Sequence, residues 1–586
     1  MKNRFTCGLL AAAMVLSLSG VGCASGGQGT SPSSSASVTA EEPKQTADDK
    51  DANGTAASEK EQEAKKEQMR ALYGENKQIT DGNYDKSLAV KCINGTFVGK
   101  KTDNVIAYKG IPFVGKQPVG ENRWKAPVEY TANDGVYEAY YNGKTPRQKE
   151  EKTEAASYYG QGEDCLYLNV WKTDEASEAK KPVMVWIHGG GYLLGGTVDP
   201  AYECHNLVEE NPDVIVVSIE YRVGPFGYLH LSHLPDGKDY PDAQNLGLMD
   251  QVMALKWVHE NIESFGGDPN NVTIWGESAG AGSVTVIPLV EGSQKYFNRV
   301  IAESGAPSLT ISTEAAIELT NEIMDTLGCK TVADLQKVDV EELLDATSIV
   351  GGLRIGPERD GSYLPLDPYA EYASGAVKNI DILHGFNKDE MNYFVHSMGP
   401  EVFEMWADAR KSQGIAKLPK EDQERVTSYL KDTPGEQWEK DSALFSQLWF
   451  NAPHIRMAEE QAKGGGKSYA YYFTPESTVP YVKCAHATEI PGIFNHPENT
   501  ELTGKAFDEA FSKTMRKMWV QFAKTGNPSL SADISPDGKT HEWPLYDLKN
   551  KEVMVLDEFN IHPEKESERK TVDWERTYPL TKYFWL

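Results

Sequence analysis

Apolar positions along this chain fall into two registers that alternate through its middle third. Val183-Met184-Val185-Trp186-Ile187 and Val214-Ile215-Val216-Val217-Ser218-Ile219 are nearly unbroken apolar runs rich in β-branched side chains, as expected of strands buried on both faces. From Leu248 to Ile262 the spacing changes: Leu248, Val252, Leu255, Val258 and Ile262 recur at three- and four-residue steps, which predicts a helix with one apolar face. Val272-Thr273-Ile274-Trp275 returns to the strand pattern. Shorter hairpin-like strands precede this region from Lys86 onward. Strand, helix and strand in this rhythm predict right-handed crossovers and an α/β architecture, a large and mostly parallel central sheet flanked by helices.

The N-terminus follows different rules. Lys2 and Arg4 precede an apolar run from Leu9 to Leu18, too short to span a bilayer but suited to a secretory signal. It closes on Gly20-Val21-Gly22-Cys23. Small residues leading into a Cys resemble a bacterial lipoprotein cleavage box, with Gly20 where that box usually has Leu; release as a soluble secreted protein is the alternative. From Ala24 to about Asp81 the chain is built of Ser, Gly, Thr, Ala, Glu and Lys, with almost no large apolar residue until Met69 and Leu72. Such a segment buries too little surface to offset its ordering entropy and is expected to be a disordered tether. The reading is therefore a signal peptide over 1–22, a lipid-bearing Cys23 with a linker over 23–81, and one large domain over 82–586. The protein is expected outside the cytoplasm, held to the membrane only through its N-terminal lipid.

Charge narrows the partners. Lys and Arg number 59 against 87 Asp and Glu, a net charge of −28, which repels phosphate backbones and excludes nucleic acid as an expected ligand. Of seven Cys, the five beyond Cys7 and Cys23 are Cys92, Cys165, Cys204, Cys329 and Cys484. Five cannot pair completely, and no Cys-x-x-Cys or Cys/His ligand spacing supports a structural metal.

Candidate chemistry lies directly after the strand-like runs. Gly276-Glu277-Ser278-Ala279-Gly280 follows Trp275 and fits the Gly-x-Ser-x-Gly nucleophile elbow, a strained strand-to-helix turn in which flanking glycines relieve crowding around an exposed Ser. His188-Gly189-Gly190-Gly191-Tyr192 follows Ile187. Successive glycines let backbone N–H groups turn into a cavity, where an oxyanion needs donors. Gly190, Gly191 and Ala279 are the predicted donors.

From about Val90 to the C-terminus the sequence resembles the type-B carboxylesterase and cholinesterase family. The resemblance is carried by Tyr108-Lys109-Gly110-Ile111-Pro112-Phe113, by Glu163-Asp164-Cys165-Leu166-Tyr167-Leu168-Asn169-Val170-Trp171, by the stretch from Asn261 to Pro269 and by the elbow. It implies an α/β-hydrolase fold and a serine carboxylesterase that forms an acyl-enzyme and needs no cofactor. The resemblance places the acid at Glu390 within Asn387-Lys388-Asp389-Glu390-Met391, with Asp389 as rival, and the base at His486 within Cys484-Ala485-His486-Ala487-Thr488-Glu489. The resulting order of Ser278, Glu390 and His486 is the one such a sheet imposes. Glu277 matches the family too, either tuning the imidazolium or serving the structure. No motif lifts His454 or His496 above packed or surface residues.

Departures from the family pattern bear on substrate. Cys165 lacks the earlier Cys with which relatives close a loop, so that disulfide is expected to be absent. The same loop lacks the Trp with which cholinesterase relatives bind a quaternary ammonium, leaving Tyr158 and Tyr159 nearby; a choline ester is disfavoured. The expected substrate is a small ester with a short-to-medium acyl or an aryl group. Amides and carbamates are open to the same machinery, and a catalytically inactive, cholinesterase-like surface binding module is the alternative of a different class.

Overall fold

A computed structural model of the chain describes residues 74–149, 160–175, 179–350 and 354–566. The expected signal peptide, Cys23, most of the expected tether, Tyr158 and Tyr159 lie outside the described residues.

One mixed sheet of eleven strands organises the molecule. In chain order these are β1 (Lys100–Thr102), β2 (Val105–Pro112), β3 (Tyr167–Thr173), β4 (Lys181–Ile187), β5 (Ile215–Ile219), β6 (Gly267–Glu277), β7 (Arg299–Glu303), β8 (Asp381–Asn387), β9 (Ser468–Phe473), β10 (Glu552–Leu556) and β11 (His562–Lys565). Their spatial order is β11-β10-β9-β8-β7-β6-β4-β5-β3-β2-β1. Pairing is parallel from β10 through to β5 and antiparallel at both margins. This is the large, mostly parallel α/β sheet expected from the pattern of apolar runs, and the α/β-hydrolase architecture that the family resemblance implies.

The unbroken runs are explained by burial on both faces. Val183, Val185 and Ile187 of β4 enter one core cluster, while Met184 and Trp186 enter the cluster on the opposite face. Helix α1 (Leu246–Asn261) covers the first face through Leu248, Leu255 and Val258. It runs into a short turn that stops at Gly266, whose φ of 90° only glycine takes readily. Helix α2 (Ala279–Val286) lies on the same face, and the C-terminal helix α5 (Glu509–Thr525) covers the other through Met515, Met518, Trp519 and Phe522. A third cluster joins α3 (Gln437–Ser446) and the start of α4 (Ala452–Lys463) to the segments after β8 and β9.

The chain reverses its direction of travel across the sheet at β4. Its successor β5 lies on one side of it, whereas β6 lies on the other. Loops leaving β4 and β6 therefore diverge and open a crevice at the strands' C-terminal ends, where open α/β sheets bind ligands.

The last residues of the expected tether behave differently from its composition. Asn76 donates to the carbonyls of Lys109 and Tyr141 and accepts from the N–H groups of Tyr140 and Tyr141, and Ile79 N–H donates to Val136 O. The folded region thus begins before residue 82. Hydropathy missed this because the anchor is a hydrogen-bonding amide rather than an apolar side chain.

Candidate active site

β6 delivers Ser278 to the crevice, and α2 begins at the next residue. Ser278 itself has φ 56° and ψ −120°, a strained conformation for a residue with a side chain. Close packing dictates the glycines around it: a Cβ on Gly280 would stand 2.0 Å from Ile187 O, and one on Gly276 would stand 2.6 Å from the same oxygen. Ser278 N–H donates to Glu303 O at 2.8 Å, which ties the elbow to the end of β7.

The glycine loop after β4 lies against this elbow. A Cβ on Gly189 would meet Glu277 Oε2 at 2.9 Å and the Ser278 Cβ at 3.1 Å. Gly190 and Gly191 take φ values of 103° and 62°, and neither backbone N–H has an acceptor among the described residues. The N–H of Ala279, at the first position of α2, is unpaired by the geometry of any helix start. The loop's remaining members are held firmly. His188 stacks on Tyr221 with ring centroids 4.3 Å apart, and the Tyr221 hydroxyl donates to His188 O.

The segments after β8 and β9 are zipped together by backbone bonds. Asp389 N–H donates to Cys484 O, His486 N–H donates to Glu390 O, and the Asn387 amide donates to Ala485 O. Glu390 is fully buried. Its Oε2 lies 2.7 Å from His486 Nδ1, while Oε1 accepts from the Ser304 hydroxyl at 2.6 Å and from Asn387 N–H at 2.7 Å. Asp389, the rival, turns its carboxylate toward the backbone of Cys484 instead. Strain gathers here as well: Ser304 has φ 53° and Ala487, beside the base, has φ 64°.

The second imidazole nitrogen faces Glu277. Nε2 of His486 stands 3.0 Å from Glu277 Oε1, within ion-pair range but outside hydrogen-bond alignment. No hydrogen bond joins the Ser278 hydroxyl to His486 among the described residues. Burial by itself would lower the imidazole's pKa; the Glu277 and Glu390 carboxylates outweigh it and hold it well above the ordinary histidine value.

Comparison with known proteins decides the family. Residues 86–573 match the model of the carboxylesterase family. The chain belongs to that family. It is 35% identical to the para-nitrobenzyl esterase of Bacillus subtilis over 81% of this chain and 96% of that protein. It is 32% identical to the liver carboxylesterase of Sus scrofa over 76% and 84% of the two chains. Among solved structures, a carboxylesterase of Geobacillus stearothermophilus superposes with a TM-score of 0.72 at 33% identity, covering 85% of this chain and all of that one. The protein is a carboxylic ester hydrolase.

Several neighbours of this carboxylesterase site had no local signal in the sequence. Phe450 packs its ring 4.9 Å from the His486 ring and sits in a π-turn (Gln447–Asn451) between α3 and α4. Pro453 stands at the second position of α4, one residue beyond Ala452; lacking an N–H and clashing with a preceding carbonyl, proline favours such widened turns. Phe394 and Tyr393 complete the aromatic surround of the imidazole. Ser304 reaches Glu390 only because β7 and β8 are adjacent.

Other candidates settle into structural positions. His454 stacks on His384 with Nδ1 atoms 3.2 Å apart, and burial drives both pKa values down, that of His384 to about 3. His496 binds Glu203 O through Nε2. All five described cysteines are free, Cys165 among them. Among the described residues, Asp103, His205 and Glu209 bring imidazole and carboxylate atoms within 4.8 Å of one another. That group lies at the molecular surface and is separate from Ser278.

Proposed function

We propose that the protein hydrolyses small carboxylic esters with short-to-medium acyl or aryl groups through Ser278, His486 and Glu390. The observation that supports this reading most is His486, buried and gripped at Nδ1 by a carboxylate whose remaining oxygen is itself saturated with donors. Such a clamp fixes the tautomer so that Nε2 is the basic nitrogen. Ser278 Oγ attacks the acyl carbon as Nε2 takes its proton. The carbonyl electron pair moves onto oxygen, which the N–H groups of Gly190, Gly191 and Ala279 receive. Collapse of the tetrahedral species breaks the bond to the alcohol, which departs with the proton from the imidazolium. Water then repeats the sequence on the acyl-enzyme with His486 again as base. Each backbone donor is expected to supply about 3 kcal/mol of transition-state stabilisation.

The test is hydrolysis of p-nitrophenyl acetate, butyrate and palmitate by the purified protein and by Ser278→Ala, with a fluorophosphonate label mapped by mass spectrometry. Turnover on short chains, lost in Ser278→Ala, with label on Ser278 is the expected result. Folded protein without turnover or label would favour the surface binding-module reading. For location, the N-terminal pattern supports a lipid on Cys23 and an extracytoplasmic, membrane-anchored enzyme; Cys23→Ser should then move activity from the membrane fraction to the soluble one.

A further inference from the structure

Among the described residues, Ser232 is the only serine whose hydroxyl is hydrogen-bonded to an imidazole: its Oγ lies 3.0 Å from His230 Nε2. The other ring nitrogen, Nδ1, stands 2.7 Å from Glu358 Oε2. Serine, histidine and glutamate are joined in series here, away from Ser278 and with no residue in common with its surroundings.

Each member of this series is held by its own element. Beyond β5 the chain turns from Leu231 to Leu234, closed by Leu234 N–H donating to Leu231 O, with Ser232 and His233 at the centre of the turn. His230 stands just before it, and its N–H donates to the Thr320 hydroxyl at 3.1 Å, on the helix Thr313–Leu327. Glu358 lies on a short strand paired with Ile311–Ser312, and its backbone exchanges two hydrogen bonds with the Asn245 amide. The Glu358 carboxyl is fully buried, and its Oε1 accepts from the Thr313 hydroxyl at 2.6 Å. Three separated stretches of sequence thus converge on one ring.

A carboxylate at Nδ1 keeps the proton on that nitrogen and leaves Nε2 to accept from the serine. The His230 side chain is 11% exposed and Ser232 is half-buried, so a reagent can reach the hydroxyl while the acid stays sealed from water. Neither Ser232 N–H nor His233 N–H has an acceptor among the described residues. The N–H that follows a nucleophile is a usual oxyanion donor.

We propose that Ser232 is a second nucleophilic serine, activated by His230 and Glu358, which takes a short acyl group from activated esters such as aryl acetates. Ser232 Oγ forms a bond to the carbonyl carbon as its proton passes to His230 Nε2, and the carbonyl electron pair moves onto oxygen. Collapse breaks the acyl carbon–oxygen bond to the aryl group, and the phenol leaves with that proton. His233 and Pro235 beside the serine are exposed, so nothing encloses a long acyl chain and the site suits a short one on a good leaving group. Lacking the glycine loop that faces Ser278, Ser232 is expected to register as a covalent mark rather than as turnover.

The test is carried out on the full chain with Ser278→Ala, using p-nitrophenyl acetate quenched in acid and, separately, a fluorophosphonate, with the marks mapped by mass spectrometry. Trypsin places Ser232 on Val223–Lys238 and residue 278 on Trp257–Lys295, so the wild type can be read in the same way. Ser232 should be marked about a hundredfold faster than the exposed Ser264 and Ser362, and His230→Gln in the same background should remove about that factor, the usual contribution of a general base. Marking of Ser232 no faster than of Ser264 and Ser362, or undiminished in folded His230→Gln, overturns the proposal. If His230→Gln does not fold, the comparison with Ser264 and Ser362 decides alone. Wild-type protein without esterase turnover would overturn the reading of Ser278, while the mark on Ser232 would still decide this one.

Discussion

Nε2 of His486 lies 3.0 Å from Oε1 of Glu277, the residue directly before Ser278. A carboxylate therefore faces the imidazole nitrogen that serves as the base, and it favours the imidazolium. Because only the neutral ring can accept a proton, kcat/KM should fall as pH drops through a value above the ordinary histidine pKa of about 6.5. Glu277→Gln removes one of the two anions that raise this value. Its acid limb should move to lower pH, read directly from the pH profile; an unmoved limb would show that Glu277 does not tune the base.

Glu390→Gln should retain the fold and substrate affinity but lower kcat by about 10⁴-fold, the scale seen when a triad acid becomes an amide and the imidazole takes the wrong tautomer. Steady-state kinetics beside thermal unfolding would separate this from simple destabilisation. Asp389→Asn should lose far less, since its carboxylate faces the Cys484 backbone.

Ser304→Ala deprives Glu390 Oε1 of one of two donors. A hydrogen bond to a buried charge contributes about 1.5–3 kcal/mol, so kcat should drop roughly ten- to hundredfold with KM little changed. Equal kcat in Ser304→Ala would remove this serine from the machinery.

Gly280→Ala places a methyl group 2.0 Å from Ile187 O. Backbone on both sides leaves it no room, and the cost should reach at least about 1–3 kcal/mol. A lower melting temperature together with lost turnover is expected, because the same displacement tilts the elbow against the glycine loop.

The His384 and His454 pair predicts acid sensitivity of the fold. Their folded pKa values lie below the unfolded value of about 6.5, so the unfolded chain binds more protons over the interval between. Stability is then complete above about pH 6.5 and declines as pH falls toward the depressed folded values, by an amount on the order of a few kcal/mol. His384→Leu combined with His454→Leu should flatten the dependence of melting temperature on pH below neutrality.

Much of this was legible in one dimension. β4, β5 and α1 appear as apolar runs and periodicities because each must bury fixed faces, and burial leaves a residue-by-residue trace. Ser278 and the glycines after His188 are legible for a related reason: one tight turn and one close approach, each made within a few residues, demand those types. Glu390 and His486 are different. Nothing in the local pattern around either distinguishes it, and they were placed through family resemblance.

By itself, then, the sequence determined the α/β architecture, the elbow at Ser278 and the glycine loop, all consequences of short-range sterics and of which faces meet water. Only the tertiary structure decided that Glu390 rather than Asp389 grips His486, that Glu277 faces Nε2, and that Ser304 braces the acid. These relationships join residues tens to hundreds of positions apart, brought together by the order of strands in the sheet. Strand order reflects the energetics of the whole core, and no segment of the chain carries it alone.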